Sequence, residues 1–351
     1  MKDLQVKSMI IKGGKIVTGT ESYIADIKIE DGIIKCIGDE LSALPGEEIT
    51  DAKGLLVLPG AIDAHTHFDM PCGDMKTSDD FYYGTRAAVA GGTDIMVQIH
   101  EKDRRWKNLK CLLDITYLDR ELRYITEDEE NIYIGPLATH TDIENSAVIK
   151  ENLPFLGVAS STVGSPQIRN RGTIGGSIGN AFPASDPLPA LIAADARVRL
   201  LGPEGERELL LKELYEGKGK LGLKRGELIR EFRIKKLPEG SVTGFSKLGR
   251  RKALAISRLN CAAALTFDKE GRITEARISP GCIFIIPDRV ERAEKLLTGE
   301  KPSEELFEAA GRAVSEVMIE RTGIRWSTEY KKPAVEEIVF RALCTAAGME
   351  V

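Results

Sequence analysis

The chain has 351 residues, 42% of them hydrophobic, enough for two or three domains with a real core and too apolar for wholesale disorder. Its formal net charge of −5 argues against a nucleic-acid binder, which would present a basic face. No run of 18 apolar residues suited to a membrane span occurs, and residues 1–17 mix charges and glycines where a signal peptide needs an unbroken apolar stretch. Cysteines stand singly at positions 36, 72, 111, 261, 282 and 344. Without a C-x-x-C pair, neither a zinc ribbon nor a plant-type iron–sulfur pattern is present, and a reduced cytoplasmic protein is expected.

Residues 8–58 read as β structure. Met9–Val17 and Ala25–Glu30 are strand-like, and Asp31-Gly32 offers a type I′ turn into Ile33–Ile37. Leu55–Leu58 is a short apolar run stopped by Pro59-Gly60, and Ser78-Asp79-Asp80 is placed to cap a helix through Ala90. Gly91-Gly92-Thr93 then leads into Asp94–Ile99, a buried-strand pattern, followed by a charged loop. Asn131–Ile134 reads as a strand and Thr141–Ile149 as a helix, with Asp142 and Glu144 favourably near its start. Residues 164–190 are rich in Gly, Pro, Ser and Asn but hold Ile168, Ile174, Ile178 and Phe182, so they read as an ordered functional loop rather than a linker. Strands are expected over Thr243–Lys247, Leu259–Phe267 and Ile273–Ser279, the last two joined by a turn at Asp268–Gly271. Helices are expected over Asp288–Leu297 and Ser303–Met318, and a last one starting at Pro333, a good first-turn residue.

The most informative stretch runs from Gln167 to Asp186 and contains Gly172, Gly175, Gly176 and Gly179. Adjacent glycines permit a backbone in which several N–H groups point one way, and such a nest binds phosphate oxygens. Gly91-Gly92 offers a second nest, and two such loops suit a dinucleotide. The other reading is that these glycines only make tight turns. Neither loop fits G-x-G-x-x-G or the P-loop, so a Rossmann or P-loop fold is not supported.

Longer words extend this pattern. A-G-G-T-D at 90–94, I-G-P-L-A-T-H-T-D-I at 134–143, N-L-P-F-L at 152–156, Q-I-R-N-R-G-T-I-G-G-S-I-G-N at 167–180 and P-A-S-D-P-L-P-A-L at 183–191 occur in order. F-S-K-L-G-R-R-K-A-L-A-I-S-R at 245–258 and A-R-I-S-P-G-C at 276–282 follow. From about Ala90 onward the chain resembles the FAD-binding subunit of molybdenum hydroxylases, the xanthine dehydrogenase and carbon monoxide dehydrogenase family. The resemblance implies an α+β fold: a two-subdomain FAD-binding domain over 90–240, its first subdomain truncated, then a C-terminal domain over 241–351 with an antiparallel sheet and helices.

The resemblance also implies residue roles. Ala90, Gly91, Gly92, Thr93, Asp94 and Ile95 match the family's first pyrophosphate-binding loop, and Thr173, Ile174, Gly175, Gly176 and Ser177 match the second. Many relatives have Asn where Ser177 stands, and both donate a hydrogen bond. Asp186 matches an acidic position contacting the cofactor; Ile229 and Lys247 match positions near the flavin. Outside the family, Lys247 reads as a solvated surface lysine and Asp186 as a helix cap ahead of Pro187. The implied activity is electron relay: from a molybdenum–pterin centre on a large subunit, through 2Fe–2S clusters on a small subunit, to FAD, and on to NAD, oxygen or another acceptor. No catalytic acid, base or nucleophile is then required of this chain.

Residues 9–92 resemble something else, and a separate N-terminal fragment is expected over 1–89. I-I-K-G-G-K-I-V-T, A-D-I-K-I-E-D-G-I-I and L-V-L-P-G-A-I-D-A-H-T-H-F-D-M-P look like the start of a hydantoinase or dihydropyrimidinase, a β-rich amidohydrolase-like fragment. In that family the His-x-His binds a divalent metal, and His65 and His67 hold those places. The family's other ligands are missing, which leaves a zinc ion about two short of its usual four. The alternatives to a flavin subunit are therefore a metal-dependent cyclic amidase, or an inactive fusion or docking protein. The join falls near Ala87–Thr93, where A-G-G-T suits both families, and the strand and helix that normally precede this loop in the flavoproteins are absent.

Overall fold

The computed structural model describes residues 8–17, 22–30, 33–57, 71–72, 75–76, 118–217, 219–251 and 254–350. The expected helix after Ser78, the strand over Asp94–Ile99 and the Asp31-Gly32 turn lie outside them. The chain divides into two compact units, Met1–Thr66 and His67–Val351.

The first unit is a sheet. Strands β1 (Ser8–Val17), β2 (Ser22–Glu30) and β3 (Ile33–Gly38) are antiparallel, and β4 (Glu48–Asp51) and β5 (Leu56–Val57) run parallel to β1. A bulge between Ile11 and Gly14 breaks the β1–β2 register. The Asp26 carboxylate, 5% exposed, fastens it by accepting the Gly13 N–H at 2.7 Å and pairing with Lys12 at 3.1 Å. The Gly13 hydrogen bond, foremost, holds its pKa below the usual carboxylate range. Its core is small: Ile16, Ala25 and Ile27, with Ile11, Ile29 and Val57 against them. Ile24, Ile33, Ile34 and Ile49 are more than half exposed.

In the second unit, β6 (Pro71–Cys72) and β7 (Met75–Lys76) form a short pair. After α1 (Asp119–Leu122) come β8 (Ile125–Glu127) and β9 (Asn131–Ile134). The expected helix over Thr141–Ile149 is two, α2 (His140–Asn145) and α3 (Ala147–Asn152). Ser146, extended at ψ 128°, ends the first, and its hydroxyl caps the second. Thr139 and Asp142 form a reciprocal capping box on α2. Helix α4 (Pro154–Ser161) follows, and the expected loop over 164–190 is three short helices: α5 (Pro166–Arg169), α6 (Ile174–Gly179) and α7 (Pro187–Ala193). All seven residues of α7 are buried.

Strands β10 (Arg197–Gly202), β11 (Gly205–Leu210) and β14 (Leu228–Lys235) complete an antiparallel sheet in the order β11-β10-β14-β9-β8, with the hairpin β12 (Tyr215–Gly217) and β13 (Lys220–Leu221) beside it. Arginines and glutamates alternate with its apolar residues. One face carries cross-strand pairs such as Arg197–Glu208 and Arg233–Glu208, both at 2.6 Å, and the other joins the core around Ile132, Val198, Leu200 and Phe232.

Strands β15 (Val242–Gly249), β16 (Ser257–Phe267) and β17 (Ile273–Gly281) form the second antiparallel sheet of this unit. Helices α8 (Glu291–Leu297), α9 (Glu304–Thr322) and α10 (Thr328–Ala347) follow. The last helix begins five residues earlier than the proline suggested; Pro333 lies inside it. β16 is buried on both faces: Ala262 and Ala264 join the core of the preceding sheet and helices, while Cys261, Ala263 and Leu265 join the core under α9 and α10. Close approach is built in at Gly244 on β15, where a Cβ would overlap the Ala342 carbonyl oxygen of α10 and lie 2.7 Å from the Ala346 nitrogen. Because both obstacles are backbone, Gly244→Val should destabilise the chain by about 1–3 kcal/mol through overpacking. Urea unfolding of the variant against the parent chain measures this directly.

Candidate functional site

The residues expected to form the first glycine loop, Ala90 to Ile95, and the pair His65 and His67 lie outside the described residues. Among the described residues no three His, Cys, Asp or Glu side chains gather as a metal site, and no helix is long and apolar enough to cross a membrane.

Thr173 to Ser177 form the start of α6. Thr173 is its N-cap, and its hydroxyl accepts the Gly176 N–H at 3.0 Å. Ile174 N–H donates to Ala138 O and Gly175 N–H to Pro136 O, each at 2.9 Å, and Ser177 N–H closes the first turn onto Thr173 O. These amides are therefore engaged within the chain rather than splayed as an open nest. The glycines act by close approach and bareness. A Cβ at Gly175 would come 2.6 Å from Pro136 Cβ, so α6 could not lie as it does with any larger residue. Gly176 and Gly179, three residues apart on one helix face, are exposed; among the described residues a Cβ at Gly179 would meet nothing within 4 Å, and one at Gly176 only the Thr173 hydroxyl. That face offers bare backbone to anything docking against it.

A hydrogen-bonded chain runs from α6 to the second sheet. The Ser177 and Ser185 hydroxyls lie 2.8 Å apart. The next residue, Asp186, is 5% exposed, and its carboxylate does not cap α7. The proline at the first helical position already lacks an N–H, and the carboxylate turns to β15 and β16 instead. Its Oδ2 accepts the Lys247 ammonium at 2.6 Å, and its Oδ1 accepts the Ser257 hydroxyl and the Asn260 side-chain amide, the latter at 3.0 Å. Lys247 also donates to Thr162 O at 2.9 Å, and its side chain is 13% exposed. It is thus a buried, paired cation and not a solvated surface lysine. Nearby, the Cys282 thiol is pushed up to about 12, first by burial and then by the Asp186 charge, which keeps it protonated.

Ile229 stands elsewhere in the fold, on β14 opposite Leu200 where the register shifts, partly buried against the core. The described contacts bring Ser177, Asp186 and Lys247 into one network and give Ile229 a packing position.

Three residues were missed from sequence. Ser257 and Asn260 are polar residues at inward positions of an otherwise apolar strand, and that misfit was the available signal. His140, 3% exposed, packs its ring on Gly172, where a Cβ would stand 3.2 Å from the ring. Its Nδ1 has no partner among the described residues, and burial, with the Arg169 charge second, pushes its pKa down to about 4.

Comparison with known proteins gives the family. Residues 79–236 match the family described as "FAD binding domain in molybdopterin dehydrogenase", and residues 245–346 match "CO dehydrogenase flavoprotein C-terminal domain". The nicotinate dehydrogenase FAD-subunit of Eubacterium barkeri is 36% identical over 293 residues, covering 83% of this chain and 90% of that one. This chain belongs to the FAD-binding subunits of the molybdopterin dehydrogenase family. Its fold is the family's: a chain of the carbon monoxide dehydrogenase of Hydrogenophaga pseudoflava superposes with a TM-score of 0.66 at 26% identity, covering 76% of this chain and 94% of that one. The other resemblance holds too. D-hydantoinase of Geobacillus stearothermophilus is 51% identical over 88 residues, which cover 25% of this chain and 18% of that enzyme. This family member therefore carries a piece of a second family, a small part of the enzyme it resembles.

Two measurements probe the network. Lys247→Met leaves a buried carboxylate without its cation and should cost about 3–5 kcal/mol, whereas the double change Asp186→Asn with Lys247→Met should cost much less; urea unfolding of the full cycle reads the difference. His140 binds its proton near pH 4 when folded and near 6.5 when unfolded, so the unfolded chain binds more protons between these values. Stability should therefore fall as pH drops from 6.5 toward 4, by a His140 contribution on the order of 3 kcal/mol, and Leu at this position should flatten that part of the profile.

Proposed function

We propose that this chain is the FAD-carrying electron relay of a molybdenum hydroxylase, taking electrons from 2Fe–2S clusters on a small partner subunit and passing them to NAD or another acceptor. The oxidised substrate would be bound at a molybdopterin centre on a large partner subunit. The observation that carries this reading is the contact of Ser177 with Ser185 and of Lys247 with the adjacent Asp186, the two neighbours also sharing the Asn260 amide, which brings three of the family-matched positions together. Relatives are named as subunits of larger enzymes, among them the nicotine 6-hydroxylase medium subunit of Paenarthrobacter nicotinovorans.

The residues present fit the cofactor. The bare face of Gly176 and Gly179 leaves room for a ligand to approach the backbone, and the Thr173 hydroxyl on the Gly176 N–H occupies a place that a diphosphate oxygen would take. Thr173 to Ser177, with Ala90 to Ile95, would flank the diphosphate. Lysine has three ammonium protons, and among the described residues two of those on Lys247 are held by Asp186 and Thr162, which leaves one donor for a ligand. Ile229 would supply an apolar contact to the ring system. FAD supplies the redox chemistry when bound; the chain supplies position and charge.

The purified chain supplied with excess FAD should retain about one flavin per chain, read from its visible absorption after gel filtration. Gly179→Val, which covers the bare face at a position where a Cβ meets no described atom within 4 Å, should weaken FAD binding at least tenfold while leaving the unfolding midpoint nearly unchanged. A well-folded parent chain that stays colourless overturns the reading.

A further inference from the structure

Asp186 has two carboxylate oxygens with different duties. Oδ2 holds Lys247, while Oδ1 is held by the Ser257 hydroxyl and by the Asn260 amide at 3.0 Å. Asn260 is 1% exposed, and its second bond runs to Ser185 O at 3.5 Å, so one amide group touches both residues that link α6 to Lys247. The placement is costly: Asn260 Oδ1 is buried with no hydrogen-bond partner among the described residues, a cost leucine would not incur. Room for the amide is made across the strand pair. Asn260 stands opposite Gly281 in register, and a Cβ at Gly281 would overlap Asn260 Oδ1. The residue after that glycine, Cys282, takes a left-handed φ of 65°, and Lys331 donates to its carbonyl at 2.9 Å. An inward asparagine, a glycine opposite it and a strained residue beside it form one arrangement around a single amide.

We infer that Asn260 is a positioning residue: by holding Asp186 Oδ1 it fixes the plane of the carboxylate, and thereby the direction of the Lys247 donor that remains free. This rests on the reading that Lys247 faces FAD. A carboxylate held on one oxygen only can swing about its side-chain bond, and the ammonium paired to it would swing with it. A fixed cation beside a flavin favours the more negative, reduced form over the oxidised one, so its placement is readable as a reduction potential.

The test uses the FAD-loaded full chain. Asn260→Leu removes the amide at similar volume. Gly281→Ala keeps the amide but forces it to move. In both, the preference for reduced over oxidised FAD should fall about tenfold, a drop in midpoint potential of roughly 30 mV for a two-electron couple, with FAD still bound. If Asn260→Leu does not fold, Asn260→Ser and Gly281→Ala give the same reading. A role in packing alone lowers the unfolding midpoint and leaves the potential in place, and that result overturns the inference while the FAD reading stands. A parent chain that takes up no FAD overturns both.

Discussion

A carboxylate buried at the junction of two cores organises the larger unit. Asp186 begins the wholly buried helix α7, and its charge is compensated by a cation on β15 and two neutral donors on β16. A buried ion pair adds little to stability, but removing one partner is severe, so such pairs restrict which arrangements a fold can adopt. Here the restriction is one of register. A shift of β16 by one residue would carry Ser257 and Asn260 to the wrong side and leave the carboxylate short of donors.

β16 meets that restriction with unusually small side chains. Three consecutive alanines, Ala262 to Ala264, let the sheet lie close to packed elements on both sides. Phe245 on β15 fills one side, and Phe307 on α9 is wholly buried on the other. The two cores thus share a strand, which makes the position of Lys247 relative to the glycine helix a property of packing rather than of a flexible linker.

Much of this was legible in the sequence. The three strands around Asn260 and the helix after Ser303 announced themselves by apolar periodicity, and the ordered words from Ala90 to Cys282 carried the family. Other parts were not legible. The charged sheet strands β10, β11 and β14 alternate Arg and Glu with apolar residues, so only cross-strand pairing reveals that the charges neutralise one another. Ser146 both ends and begins a helix, which periodicity alone merges into one. The partners of Asp186 are separated from it by 61 to 74 residues, a distance over which spacing rules are silent. The glycine stretch was read as a nest of free amides; bonds to Ala138 and Pro136, set by the neighbouring chain, decide otherwise.

The close seating of α10 on Gly244 bears on when the site is assembled. Residues 118–235 supply a sheet, its helices and most of one core, and they leave the ribosome first. Strand β15 packs at Gly244 against the helix that ends at Ala347. The packing around the Lys247–Asp186 pair is therefore complete only once α10 has been made. Seating of the cation is thereby tied to the docking of a helix made well after it.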